Sequence, residues 1–171
     1  MKKLLFFILF LIASFLISCG DDDDSNTNET KLEGRYDLQA YRTNPPTDIN
    51  NDGNGSEDQL LETDCHQNTI LKLNEDLTYT FDFSLLGLKL DSNDQPTQEL
   101  ECDIENIEGT YEVDGNTIIL SFQDLDSTES IILVNNNGVL VSEVLDIDLI
   151  TRNGEGQLIS VDAALVLEFS K

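Results

Sequence analysis

Thr69-Ile70-Leu71-Lys72-Leu73-Asn74-Glu75-Asp76-Leu77-Thr78-Tyr79-Thr80-Phe81-Asp82-Phe83 carries the pattern that decides the fold. Tyr79, Phe81 and Phe83 alternate with Thr78, Thr80 and Asp82, the two-residue period of a strand with one buried face. Residues 70–73 form a second short apolar run, and Asn74-Glu75-Asp76 between the two has the composition of a turn, so the stretch predicts a hairpin. The signature recurs in both directions. Tyr36, Leu38 and Ala40 alternate with Arg35, Asp37 and Gln39, and residues 110–113, 118–122, 130–134, 139–145 and 163–169 bring the count to about eight strands. Asp114-Gly115 predicts a type I′ hairpin turn, which needs positive φ at both centres. Asn135-Asn136-Asn137-Gly138 is hairpin-like in composition. Residues 44–67 and 86–108 read as long connections, Asn153-Gly154-Glu155-Gly156 as a flexible loop, and no stretch keeps a helical period.

Eight sequential strands with one apolar face must close or stack, because an open sheet leaves unpaired edges. The expected fold is therefore all-β, an antiparallel up-and-down barrel of about eight strands, with a two-sheet sandwich as the alternative.

The N-terminus has a different character. A basic start, Met1-Lys2-Lys3, precedes an uncharged apolar run over residues 4–17, too short for a bilayer span of ~20 helical residues. It reads as a signal segment. Leu16-Ile17-Ser18-Cys19 resembles the lipobox of bacterial lipoproteins, and the resemblance implies acylation of Cys19 and tethering without a membrane-spanning helix. The expected organisation is a signal peptide over 1–18, an acylated cysteine and acidic tether over 19–32, and one domain over 33–171. Residues 20–32 hold one large apolar residue and cannot bury enough surface to fold. Asp21 to Asp24 look like the acidic export tag of some surface lipoproteins, although a solvated spacer has the same composition. Gly20 stands where an inner-membrane retention aspartate would, so the expected location is the outer membrane, with the lipid anchor as the membrane contact.

The chain has 9 basic and 34 acidic residues, and removal of Lys2 and Lys3 leaves 7 against 34, a formal charge of −27. Such a surface repels phosphates and excludes nucleic acid as a partner. Cys65 and Cys102 remain in an oxidising compartment and are expected to pair. With the single His66 they make a poor metal constellation.

Four further segments carry a family resemblance. Leu32-Glu33-Gly34-Arg35-Tyr36-Asp37-Leu38, Asp48-Ile49-Asn50-Asn51-Asp52-Gly53, Leu60-Leu61-Glu62-Thr63-Asp64-Cys65 and residues 69–79 together resemble the lipocalin-like domain of bacterial lipoproteins, with Glu108-Gly109-Thr110-Tyr111 as a second Gly-x-Tyr strand start. Arg35-Tyr36 replaces the family's usual aromatic pair, and Leu77 its turn glycine. The resemblance implies a small monomeric barrel of ligand-binding type.

Tyr79, Phe81, Phe83, Tyr111 and Phe122 are the candidates for an apolar pocket, or else for core filling. Asp48, Asn50, Asp52, Asn54 and Ser56 follow the oxygen spacing of a calcium loop, with Gly53 at its sharp turn. Gln59 stands where a bidentate Glu belongs, with Glu57 and Asp58 as substitutes, and an Asx-rich surface loop is the plain alternative. Calcium is the only cofactor suggested. A nucleophilic triad is hard to assemble with one histidine, which is expected as an exposed loop residue, so no enzymatic activity is expected. The expected function is a lipid-anchored envelope protein binding a small apolar ligand or a partner; the alternative is a structural or adhesion protein with a filled barrel.

Overall fold

The computed structural model describes residues 31–125 and 127–171; Cys19, the signal segment and the tether up to residue 30 lie outside the described residues. The chain forms ten strands: β1 (Gly34–Thr47), β2 (Ser56–Asp58), β3 (Ile70–Leu73), β4 (Thr78–Leu90), β5 (Pro96–Asp114), β6 (Thr117–Asp124), β7 (Ser127–Asn136), β8 (Val139–Ser142), β9 (Leu145–Arg152) and β10 (Leu158–Ser170). Two short 3-10 turns, Gln59–Leu61 and Cys65–Asn68, lie between β2 and β3. Neighbours pair antiparallel in the order β1-β3-β4-β5-β6-β7-β8-β10, and β10 pairs back onto β1, closing an eight-stranded barrel. β2 and β9 are extra strands on the edges of β1 and β10. The barrel rather than the sandwich follows from this closure.

The barrel interior is packed with its own side chains. Tyr36, Leu71, Leu73, Tyr79, Phe81, Ile118, Leu120, Leu133, Leu140, Leu165, Leu167 and Phe169 are buried in one cluster. At roughly 25 cal/mol per Å² of apolar surface, each such side chain contributes about 1.5–3 kcal/mol relative to exposure. The inward phase of β1 shifts midway. Leu38 pairs with Phe169 but Ala40 with Glu168, a bulge at Gln39 that turns Tyr41 and Thr43 inward, and simple alternation through Tyr36, Leu38 and Ala40 does not reveal it.

Three expectations are corrected by the strand ends. Residues 86–108 are not a loop: β4 and β5 run on as a paired arm from Leu85 opposite Asp103 to Leu90 opposite Pro96, beyond the end of β3. Alternation is faint there because neither face of the arm is fully buried. Residues 44–67 likewise contain the end of β1, β2 and both 3-10 turns. Asn153 to Gln157 close a tight β9–β10 turn in place of a flexible loop, with the Asn153 N–H donating to the Gln157 carbonyl (2.9 Å). The Asp114-Gly115 turn differs from its expected type. Asp114 pairs with Thr117, leaving Gly115-Asn116 as the loop, and only Gly115 (φ 61°) has positive φ, as a type II′ turn requires. Asn137 (φ 56°) and Gly138 (φ 95°) both do, and make the type I′ turn between β7 and β8.

The two barrel ends differ. The turns at 74–77, 115–116 and 137–138 gather with Leu32 and Lys171 at one end, where the described chain begins after the expected tether. The β4–β5 arm, the β6–β7 turn, the β9–β10 turn and the 3-10 turns gather at the other, distal end. There Gln98 of β5 and Leu158 of β10 exchange two hydrogen bonds (Leu158 N–H to Gln98 Oε1, 2.7 Å), joining the two arms.

Candidate functional site

Between those joined arms, the β6–β7 hairpin is the shorter element, and the wall of the barrel is open beside it. β5 is paired with β6 only from Gly109 to Asp114, and β7 with β8 only from Leu133 to Asn136. The result is a groove of about 340 Å³, lined by Phe81, Phe83 and Leu167 together with Ile107 of β5, Phe122 of β6, Ile131 of β7 and Leu145 of β9; Glu105, Asn106, Glu108, Gln123 and Asp124 complete its rim. Phe81 and Phe83 pack tilted with ring centroids 5.3 Å apart, and Phe169 meets Phe81 edge-on at 5.9 Å. Phe81 and Phe169 are buried in the core beneath the groove, and partly exposed Phe83, Ile107, Phe122, Ile131 and Leu145 give it a concave apolar surface of the lower size that small ligands use.

The five aromatic candidates do not act together. Phe81, Phe83 and Phe122 border the groove, whereas Tyr79 is buried in the core and its hydroxyl meets no partner among the described residues. Burial raises its pKa to about 12. Tyr111 points to the tether end, where its hydroxyl donates to the Asn74 carbonyl (2.8 Å). A larger but open depression at that end, about 730 Å³, is lined mainly by turn residues, and one of about 550 Å³ on the β9–β10 hairpin presents Asp146, Asp148 and Asp162 around Asn44. The first is more open than the groove, although Leu32, Leu77, Tyr111, Val113 and Ile118 line it, and the second is bordered chiefly by Asp and Asn side chains.

Behind the groove sits a buried polar layer that sequence reasoning missed. His66 is 1 % exposed rather than an exposed loop residue. Its ring stacks on Tyr41 with centroids 3.9 Å apart, and Phe83 continues the stack beyond Tyr41 at 6.2 Å. Its Nδ1 lies 2.9 Å from the Ser84 carbonyl and must therefore donate, while Nε2 meets no partner among the described residues. Burial lowers the His66 pKa, against a smaller opposing effect of the Ser84 carbonyl, and burial raises that of Tyr41. The adjacent Cys65 sulfur is turned toward Cys102 and the Leu85 carbonyl, so thiol and imidazole have separate partners. Cys65 and Cys102 meet at disulfide distance, with Cα atoms 5.6 Å apart, inside the range a disulfide needs. The bond clamps the 3-10 turn Cys65–Asn68 onto the arm; Cys102 lies on a strand, not on the loop expected for it.

The Asp48–Ser56 loop closes on itself. Asp48 accepts from the N–H groups of Asp52 and Gly53, Asn50 from Asp52, and Asp52 from Asn54, at 2.8–3.1 Å. Gln59, at the position of the missing bidentate Glu, is buried and turned away: it accepts from Thr47 (2.7 Å) and donates to Thr43 and the Ser56 carbonyl (both 2.9 Å). Buried Glu62 accepts from Ile49 and Asn50 N–H groups at 3.1 and 3.4 Å. Among the described residues no three His, Cys, Asp or Glu converge as a metal cluster. The sequence marks Gln59 only as the missing Glu of a calcium loop; its burial, like that of Glu62, gives no periodic signal.

Comparison of the chain with protein-family models, with curated proteins and with solved structures finds no match.

Proposed function

We propose that this chain is a lipid-anchored envelope protein whose barrel is a rigid scaffold, holding the aromatic groove at the end away from the membrane to bind a small apolar ligand or the apolar part of a partner. The packed interior supports this reading: with the barrel axis filled, binding falls to surface depressions, and the groove bounded by Phe81, Phe83 and Phe122 is the most enclosed of those described. The lipobox resemblance at Cys19 and the entry of the chain at the opposite end support the orientation. The same packed interior favours a second reading, a structural or adhesion protein that binds nothing small.

Native mass spectrometry of the full-length protein extracted from its own membrane separates the two. The expected result is an apolar adduct that solvent extraction removes and that Ile131→Glu, a charge placed in the groove wall, abolishes. A protein that carries no adduct before extraction supports the second reading.

A further inference from the structure

We infer that the free edge of β5 beside the groove docks an extended, basic segment of a partner protein, which joins the sheet as an additional strand. This rests on the reading of the groove as the binding surface and names the chemistry that would fill it. β5 is hydrogen-bonded to β4 from Pro96 to Thr110, whereas β6 reaches its other edge only at Gly109. From Thr97 to Glu108 that second edge pairs with no strand among the described residues, so alternate residues there direct N–H and C=O groups outward. Gly109 is the branch point. A Cβ there would lie 2.0 Å from the Ser121 carbonyl oxygen, so the two strands touch backbone to backbone before they part.

Register supplies the second half of the fit. Phe81 is opposite Ile107 and Phe83 opposite Glu105, so these side chains share one face of the arm. A strand added to the free edge lays every second side chain on that face, over the groove. Recognition would then combine main-chain hydrogen bonds with alternate side chains laid on that face, the chemistry of strand addition.

Charge selects the occupant. Glu101, Asp103 and Glu105 lie on the groove face with Phe83 and Ile107, and Glu108 on the other; all four are exposed, and none takes part in an ion pair among the described residues. Asp124 closes the rim opposite, and no Lys or Arg lines the groove. Such an edge repels a second copy of itself, because like charges facing across paired strands are destabilising. It equally repels the tether with its Asp21–Asp24 run. An extended segment alternating Lys or Arg with apolar residues matches both faces: its basic side chains, laid on the groove face, run their aliphatic stems over Phe83 and Ile107 and bring their charges to Glu101, Asp103 and Glu105, while its apolar ones fall beside exposed Ile104 on the other face.

The probe is a short capped peptide alternating lysine and valine, added to the full-length protein in detergent, with amide hydrogen exchange and binding followed together. A valine–glutamate peptide and a lysine–glycine peptide serve as controls. The expected result is about tenfold slower exchange confined to residues 101–108 with the lysine–valine peptide alone, lost at high salt. Glu105→Lys with Glu108→Lys, two exposed positions that leave the core untouched, should transfer that protection to the glutamate peptide. Equal protection by the lysine–glycine peptide would reduce the effect to surface charge and overturn the inference. So would unchanged exchange at saturating peptide, or protection of 101–108 through dimerisation without peptide. An adduct found by native mass spectrometry is read independently, so a failed peptide and a failed groove remain distinguishable.

Discussion

Gly109 and Leu77 are opposite cases of one backbone rule. At Gly109 the missing side chain is the requirement: a methyl there would meet the Ser121 carbonyl at 2.0 Å and Tyr79 Cε1 at 2.9 Å. Gly109→Ala should cost about 3 kcal/mol or more, because the obstacle is backbone that cannot rotate away; chemical denaturation measures it. Leu77 has φ 63°, the left-handed region that costs an L residue about 1–2 kcal/mol, and is half exposed, so its side chain returns little of that. Leu77→Gly should therefore raise stability by about 1 kcal/mol, read as a few degrees in melting temperature. His66 adds a pH dependence. Its folded pKa lies below the unfolded value near 6.5, so the unfolded chain takes up the proton first. The stability associated with neutral His66 is complete above about pH 6.5 and declines as pH falls from there toward the folded pKa. Urea unfolding between pH 8 and pH 5.5 should show a falling midpoint in the wild type and a flatter one in His66→Gln; parallel curves would contradict it.

At the scale of elements, one turn is used three times. Residues 74–78, 91–95 and 153–157 each close with the first N–H donating to the fifth carbonyl and the fourth residue (Leu77, Asp94, Gly156) at positive φ. Only the first was legible as a hairpin, because residues 70–83 carry clean alternation on both sides of it. The β4–β5 arm carries none, since both of its faces are partly wet and its groove face mixes Phe83 with Glu105. That is also why the groove was half visible: Phe81, Phe83 and Phe122 stood out as aromatics, but Ile107, Ile131 and Leu145 become its walls only through the divergence of strands, which no local pattern encodes. The clamp from the 3-10 turn to the arm is the next measurable feature. Cys65 and Cys102 are 37 residues apart, and closing that loop should contribute about 4 kcal/mol in the chain-entropy description, or less if the native state is strained. Cys65→Ala with Cys102→Ala should lose stability of this order, and two free thiols in the denatured, unreduced wild type would remove the clamp altogether. The Asp48–Ser56 loop has a separate test. Asp48→Ala deprives the Asp52 and Gly53 N–H groups of an acceptor and should lower the melting temperature by a few degrees in chelator. A rise with millimolar calcium in the wild type that Asp48→Ala and Asp52→Ala abolish would place a cation there; equal curves with and without calcium leave the loop as turns.

For the whole molecule, the described chain enters beside Lys171, whose ammonium donates to the carbonyls of Lys31 and Glu33 and lies 5.0 Å from the centre of the Tyr36 ring. Cys19→Ala should therefore release the protein from the membrane fraction with its melting temperature unchanged, because the proposed anchor and the barrel are separate in sequence. Incorporation of a fatty-acid analogue into the Cys19→Ala protein would end the lipoprotein reading. The closing seam carries a further consequence. β1 is bonded to β10, and Arg42 finds its partner Glu168 126 residues later. A nascent or partly threaded chain lacking β10 has two unsatisfied seams and no shorter ring to fall into, so the fold is completed in a single late event. Such long-range pairing is slow to form, commonly milliseconds to seconds, so refolding from denaturant should wait on the arrival of β10 at β1.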